Sequence, residues 1–272
     1  MKLAKRIATV LIILALVVLA VRAVFTVSKG VDGAKEFFYG LIGKDATPIS
    51  ESYSKVDGYV TETKKIPLSG IEIVSLEIDA AQVKLKTGGG NDIIVEAKYD
   101  ENTFFAENVF SAKGEGGTAA VSLKQRKFGF TFGKKLRQST VTVTVPEKFK
   151  GLLSMDLNAG TFDGDSGSAA GVALSANAVK LELRGISGKL TAVMNACDSE
   201  FSVRGAGGDL SVNLNAGSAK INLPVKSNYR VSNTMTVGQF SNNYDRDVNR
   251  TGKEYKLDVT GAVATVKVSA VG

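Results

Sequence analysis

Four stretches of the chain share one template: LSMDLNAGTFDG, VALSANAVKLEL, LTAVMNACDSEFSV and LSVNLNAGSAKINL, each containing Asn-Ala. The asparagines Asn158, Asn177, Asn195 and Asn215 stand 19, 18 and 20 residues apart, the regularity of a repeat architecture. Apolar residues fall one, three and five positions before each Asn, as in Leu157, Met155 and Leu153, or Leu214, Val212 and Leu210. They resume four and six positions after it, as Leu181 with Leu183 and Ala219 with Ile221, while Phe162 with Gly164 and Ser199 with Phe201 depart from the pattern. Alternation on both sides of a small-residue bend predicts two short strands per repeat, each turning one face inward.

The template extends to two segments without Asn. Around Asp79 it finds Val74, Leu76, Ile78, Val83 and Leu85; around Thr260 it finds Tyr255, Leu257, Val259, Ala264, Val266 and Val268. The stretch YRVSNTMTVGQF around Asn233 lies at the right distance but out of phase, and reads as a degraded rung before the polar loop 241–254. One repeat cannot bury its apolar face alone, so copies must stack with strands about 4.8 Å apart. The expectation is an all-β, single-stranded parallel β-solenoid with rungs of 18–20 residues, right-handed by the crossover rule. Stacking also gives Asn158, Asn177, Asn195 and Asn215 a structural role as an amide ladder along the stack.

Between residues 93 and 145 the repeat is lost, although IIVEAKYD, AAVSLKQR and STVTVTVP still alternate and read as sheet continuing the same stack in wider rungs. The expected organisation is a tip and membrane anchor over 1–28, a linker over 29–70 and a β-domain over 71–272. Within that domain, 90–150 is irregular and 151–240 regular.

The segment before the domain is unlike the rest. Residues 1–6 hold three positive charges and residues 7–21 are apolar except for Thr9, followed by Arg22 and a second apolar run to Val27. That approaches the roughly 20 residues that cross a bilayer, with Arg22 snorkelling at the far interface. The preceding charge puts the N-terminus inside. Retention as an anchor and cleavage as a signal peptide at Ala20 or Ala23 both stay open, and both export the remainder. No lipobox cysteine follows. Phe37, Phe38, Tyr39, Leu41 and Ile42 form a cluster that reads either as an interfacial helix or as part of the core.

The chain has no His, so it lacks the commonest general base and metal ligand, which counts against an enzyme. Cys197 is the single cysteine, which excludes an intramolecular disulfide. The formal charge of +7 falls to +3 (30 basic against 27 acidic residues) without Lys2, Lys5, Arg6 and Arg22, too mild for a typical nucleic-acid binder.

LEIDAAQVKL, LSMDLNAGTF, LSVNLNAGSAKINL and the closing LDVTGAVATVKV resemble the β-strand repeats of a bacterial adhesin-like family, a domain of unknown function. The resemblance covers roughly residues 70–272 and is carried by repetition of a degenerate motif. It implies a β-helical extracytoplasmic domain, often behind one transmembrane segment and encoded near envelope-stress systems, with no catalytic residues or cofactor to carry over.

Among candidate sites, the segment 124–137 stands out. Lys124, Arg126, Lys127, Lys134, Lys135 and Arg137 surround Phe128, Phe130 and Phe132 with no acidic residue. Such a hairpin suits an anionic envelope polymer or lipid headgroups, or else is an edge hairpin whose lysines oppose aggregation. Gly164-Asp165-Ser166-Gly167 spells a serine-protease motif but has no His to serve it, and reads as a turn. Asp163, Asp165 and Ser168 could ligate a hard cation, yet no Glu closes the loop, and a nonapeptide calcium repeat is present at most once, at Gly207-Gly208-Asp209. Asp156 with Asp163 and Asp198 with Glu200 are carboxylate pairs of the kind glycan cleavage uses, placed where a solenoid needs surface charge.

The expected function is therefore adhesin-like binding or scaffolding at the cell envelope, without catalysis, cofactor or nucleic acid. Its partner is an anionic envelope polymer or lipid. The alternatives are an accessory of an envelope-stress sensing system acting through a membrane sensor protein, and a glycan-active enzyme.

Overall fold

The structure, a computed structural model, describes residues 46–47, 50–56, 59–100, 106–127, 138–205, 207–244 and 252–272. The expected membrane span over 7–27 and the aromatic cluster at 37–42 lie outside them. Among the described residues no helix is long and apolar enough to cross a membrane. Residues 43–272 make up one unit and 1–42 another, the latter outside the described residues.

Every described element is a strand: β1 (Ala46–Thr47), β2 (Ser50–Val56), β3 (Tyr59–Pro67), β4 (Ile73–Ile78), β5 (Ala81–Gly88), β6 (Asp92–Asp100), β7 (Ala106–Glu115), β8 (Thr118–Lys127), β9 (Thr140–Pro146), β10 (Leu152–Leu157), β11 (Gly160–Asp165), β12 (Gly171–Asn177), β13 (Val179–Ile186), β14 (Lys189–Asn195), β15 (Cys197–Val203), β16 (Leu210–Pro224), β17 (Asn228–Asn242) and β18 (Glu254–Val271). Each rung supplies one stretch to each of two parallel ladders. The first column runs β8, β4, β10, β12, β14 and then the leading halves of β16, β18 and β17. The second runs β9, β5, β11, β13, β15 and the trailing halves of the same three strands.

Alternation drives this assembly. In β13 the pattern VKLELRGI buries Val179, Leu181 and Leu183 and exposes Lys180, Glu182 and Arg184, and parallel register lays each apolar residue over its counterpart in the next rung. The core is thus a set of rows, such as Ile78, Leu157, Ala176, Met194 and Leu214, all at most 2 % exposed. Phe162 and Gly164, which strain the sequence template, are explained by volume. The Phe162 ring fills its rung so fully that a Cβ on Gly164 would meet it at 2.6 Å. One rung on, Leu181 with Leu183 divide the same space evenly, and in the rung after that Ser199 is the small partner and Phe201 the large one. Interiors close-packed like crystals require the sum to hold, not each residue.

Several expectations are corrected. The sheet is mixed, not a single-stranded parallel solenoid throughout: β7 pairs antiparallel with β8 and β1 with β7, while β6 pairs antiparallel with β9, β3 with β6 and β2 with β3. These strands cover one end of both columns, where a parallel stack would otherwise stop at an unpaired rung. Part of the expected linker over 29–70 belongs to this end, since β3 carries Val60 and Ile66 into the core with no exposure. Stacking order also departs from chain order twice. The rung β8–β9 lies outside β4–β5, and β18 sits between β16 and β17.

Two registers differ as well. Leu214 pairs with Gly261 and Ala216 with Val263, so the corner of β18 falls at Ala262, not Thr260. In β17, Met235 pairs with Gly261 and Val237 with Val263, so its corner is Thr236 rather than Asn233.

Candidate binding surface

Five successive rungs turn from the first column to the second through an Asx-Ala pair: Asp79-Ala80, Asn158-Ala159, Asn177-Ala178, Asn195-Ala196 and Asn215-Ala216. In four of these five rungs the bend uses a residue with positive φ. Ala178 and Ala196 supply it themselves at 51°, whereas Gly160 and Gly217 do so in their rungs at 117° and 116°. At both glycines a Cβ would strike a carbonyl oxygen of the adjacent rung, Ala81 at 2.1 Å and Cys197 at 2.0 Å.

The four asparagines form a chain of hydrogen bonds along this corner. Asn215 donates from Nδ2 to Oδ1 of Asn195, Asn195 to Asn177 at 2.6 Å, Asn177 to Asn158 at 3.1 Å and Asn158 to Asp79 at 3.0 Å. Every amide donates in the same direction. Asp79 ends the run as an acceptor on both sides, since its second oxygen takes the backbone N–H of Gln125 at 2.7 Å. Only a carboxylate offers two acceptor oxygens and no donor there. Asp79 is the member of the ladder that a search for Asn missed; the Asp-Ala dipeptide at the repeat distance was its signal.

Of the cationic segment, Lys124 is exposed and pairs with Glu77 at 2.9 Å. Arg126 and Lys127 close β8. Phe128, Phe130, Phe132, Lys134, Lys135 and Arg137 lie outside the described residues. The ends of the segment are nonetheless fixed by register: Leu123 pairs with Ile78 and Thr140 with Gln82. In the neighbouring rung the two paired positions, Ile78 and Gln82, are joined by residues 79–81.

The outer face of the second column carries a shallow groove of about 550 Å³ lined by charged residues from successive rungs. Lys84, Asp163, Glu182, Glu200, Lys220 and Lys267 follow one another in register. Neighbouring carboxylates so placed would repel, and cations separate them. Arg184 pairs with both Asp163 and Glu182, and its own pKa is raised, chiefly by its hydrogen bond to Glu182. Lys220 holds Glu200 at 2.8 Å, which with the Asn222 amide pulls the Glu200 carboxyl below its ordinary range. A second opening of about 780 Å³ lies beside the start of β17, lined by Pro224, Val225, Lys226, Lys253 and Tyr255.

The remaining candidates are engaged in structure. Ser166 is buried, with its hydroxyl donating to the Arg184 carbonyl at 3.3 Å, and Asp165 accepts the Gly167 N–H at 2.7 Å, as a tight turn between β11 and β12 requires. Asp156 and Asp163 stand in different columns, and Asp198 accepts from the Ser218 hydroxyl. Asp209 accepts the Lys256 N–H at 3.0 Å. Cys197 is buried, and burial raises its thiol pKa. Among the described residues no group of three or more acidic or Cys side chains is placed to hold a metal ion.

No family model and no curated protein matches the chain. Solved structures do. A proposed cell adhesion protein from Clostridium sporogenes is 15 % identical, with 78 % of this chain and 99 % of that one covered and a TM-score of 0.48. A proposed adhesin from Bacteroides fragilis is 11 % identical, with 81 % and 97 % covered and a TM-score of 0.28. A proposed lipid-binding protein from Parabacteroides distasonis is 16 % identical, with 76 % and 96 % covered and a TM-score of 0.25. At these scores the likenesses say nothing of what this chain binds.

Proposed function

We propose that the chain is a non-enzymatic, membrane-anchored surface protein whose β-domain lies outside the cytoplasm and binds an anionic envelope polymer or lipid surface. The apolar run over 7–27 is its anchor, and its parallel rungs coil as a β-helix. What carries this reading is the composition of the segment 124–137, six cationic residues around three phenylalanines with no acidic residue among them. A cation-rich, aromatic segment suits anionic polymers and headgroups. The resemblance of the repeats to the adhesin-like family supports the same reading. The charge-paired outer face of the second column, where Asp163 and Glu182 share Arg184 and Glu200 is held by Lys220, favours a second one: a shallow docking surface for a protein partner such as a membrane sensor.

The test uses the full chain in nanodiscs of neutral lipid, mixed with purified cell-wall polymer or anionic liposomes at low and high salt. Salt-sensitive co-sedimentation should disappear when Lys124, Arg126, Lys127, Lys134, Lys135 and Arg137 are replaced by Gln. Failure of the wild type to bind either material would overturn the polymer reading in favour of the protein partner.

A further inference from the structure

The two ends of the stack are finished differently. At one end antiparallel strands cover the parallel rungs, and the outermost, β2, is short and carries Glu51 and Lys55. At the other, β17 pairs only with β18 among the described residues and leaves a fifteen-residue edge whose single charged side chain is Arg230. Edge strands are normally guarded by charge, proline or brevity, and β17 has almost none of these. The core also runs out through this end. Val231, Met235 and Phe240 pack on it but are only half-buried, and Asn233, at an inward register position over Val259, is exposed.

We propose that β17 is a self-association edge on which a second copy of this chain docks by antiparallel pairing. The choice of partner follows from the register that the rung itself imposes. In the first column the inward residues are odd-numbered (Tyr229, Val231, Asn233, Met235), whereas in the second they are even-numbered (Gly238, Phe240, Asn242), because the corner at Thr236 shifts the phase. A two-fold axis through that corner lays the first-column arm of one rung along the second-column arm of the other. Inward residues then meet inward residues when paired numbers sum to 471. Val231 meets the partner's Phe240, Asn233 meets the partner's Gly238, and outward Ser232 meets the partner's Gln239, each twice. The arrangement continues the core from one chain into the next and keeps the two Arg230 side chains at opposite ends, whereas parallel pairing would oppose them. With one such edge per chain the assembly closes as a dimer rather than growing into a fibre.

The test measures the mass of the full chain in detergent micelles, with Asn233→Lys as the comparison. Asn233 is exposed, so the variant should keep the far-ultraviolet circular dichroism of the wild type while two lysines closed into the shared end reduce a dimer to monomer. Register is read by mixing separately made Ser232→Cys and Gln239→Cys chains under mild oxidation with diamide, where Cys197 is buried and silent. A disulfide-linked dimer is expected from the mixture and not from either variant alone. A wild type that is monomeric overturns the proposal, as does a dimer that survives Asn233→Lys, which would place the contact in the N-terminal segment. Cross-linking of Ser232→Cys to itself overturns the register.

Discussion

Ala178 and Ala196 bear the local cost of the corner, since at φ 51° each occupies the left-handed region that disfavours a Cβ by about 1–2 kcal/mol. Glycine would relieve this but adds freedom to the unfolded chain, which returns about 0.5–1 kcal/mol. Ala178→Gly and Ala196→Gly should each stabilise the fold slightly, by about 0.5 kcal/mol, read as a raised denaturation midpoint. The reverse test is stricter: Gly217→Ala places a Cβ against the Cys197 carbonyl and should cost well over ~2 kcal/mol. Volume sharing within a rung makes a different prediction. Gly164→Leu alone drives a side chain into the Phe162 ring, and Phe162→Leu alone opens a void, so each single change should cost about 1–3 kcal/mol. The double variant recreates the Leu181 and Leu183 pair of the next rung and should recover most of the loss. Additive losses in the double-mutant cycle would show that the two positions do not share space.

The ladder is a property of the element series, because each amide has one neighbour to donate to and one to accept from. An internal deletion such as Asn177→Ala breaks two links, to Asn158 and Asn195, and should cost about 1–2 kcal/mol, while Asn215→Ala breaks one and should cost about half as much. Asp79→Asn leaves one oxygen for two donors, so a loss of about 1 kcal/mol is expected there too; equal stability of all three variants would mean that water replaces the amides freely. This series was the most legible part of the sequence. Four Asn-Ala pairs at near-equal spacing give the central rungs, their corner and their inward faces directly. The slip at Thr260 has a simple cause: a shift of two residues leaves every side chain on the same face, so alternation cannot detect it without a corner residue to anchor the count. Asn233 misled in another way: the corner of β17 lies three residues on, at Thr236, an odd shift that puts the alternation out of phase when counted from Asn233. Nor does alternation distinguish a parallel neighbour from an antiparallel one, so the covering strand β6 read as part of a further rung. The cationic segment was legible as composition, and most of it lies outside the described residues.

At the scale of the molecule, the order of the last rungs is decided by which of them tolerates an open end. Row by row, Val212 lies under Val259 and then Asn233, Leu214 under Gly261 and then Met235, and Tyr255 beside Tyr229. Were β17 to follow β16 directly, Asn233 would be closed between Val212 and Val259 at a core position without a partner, at a cost of about 1–3 kcal/mol, whereas in the terminal place only Val259 of its own chain lies against it. The later strand β18 carries Val259 in that row and takes the interior place, with Met235 of β17 filling the space that Gly261 leaves. Stability in a stack is close to a sum of nearest-neighbour terms, so each rung depends on the one beneath it. A chain ending at residue 253 should therefore keep hydrogen-exchange protection in β10 to β15 and lose it in β17, whose described backbone pairing is entirely with β18. Introducing Asn233→Val into that shortened chain removes the polar obstacle and should restore protection to β17, now seated on β16. If β17 stayed protected in the shortened chain without that change, its position would not be governed by Asn233. The order of rungs would then have to come from the connection between β17 and β18 instead.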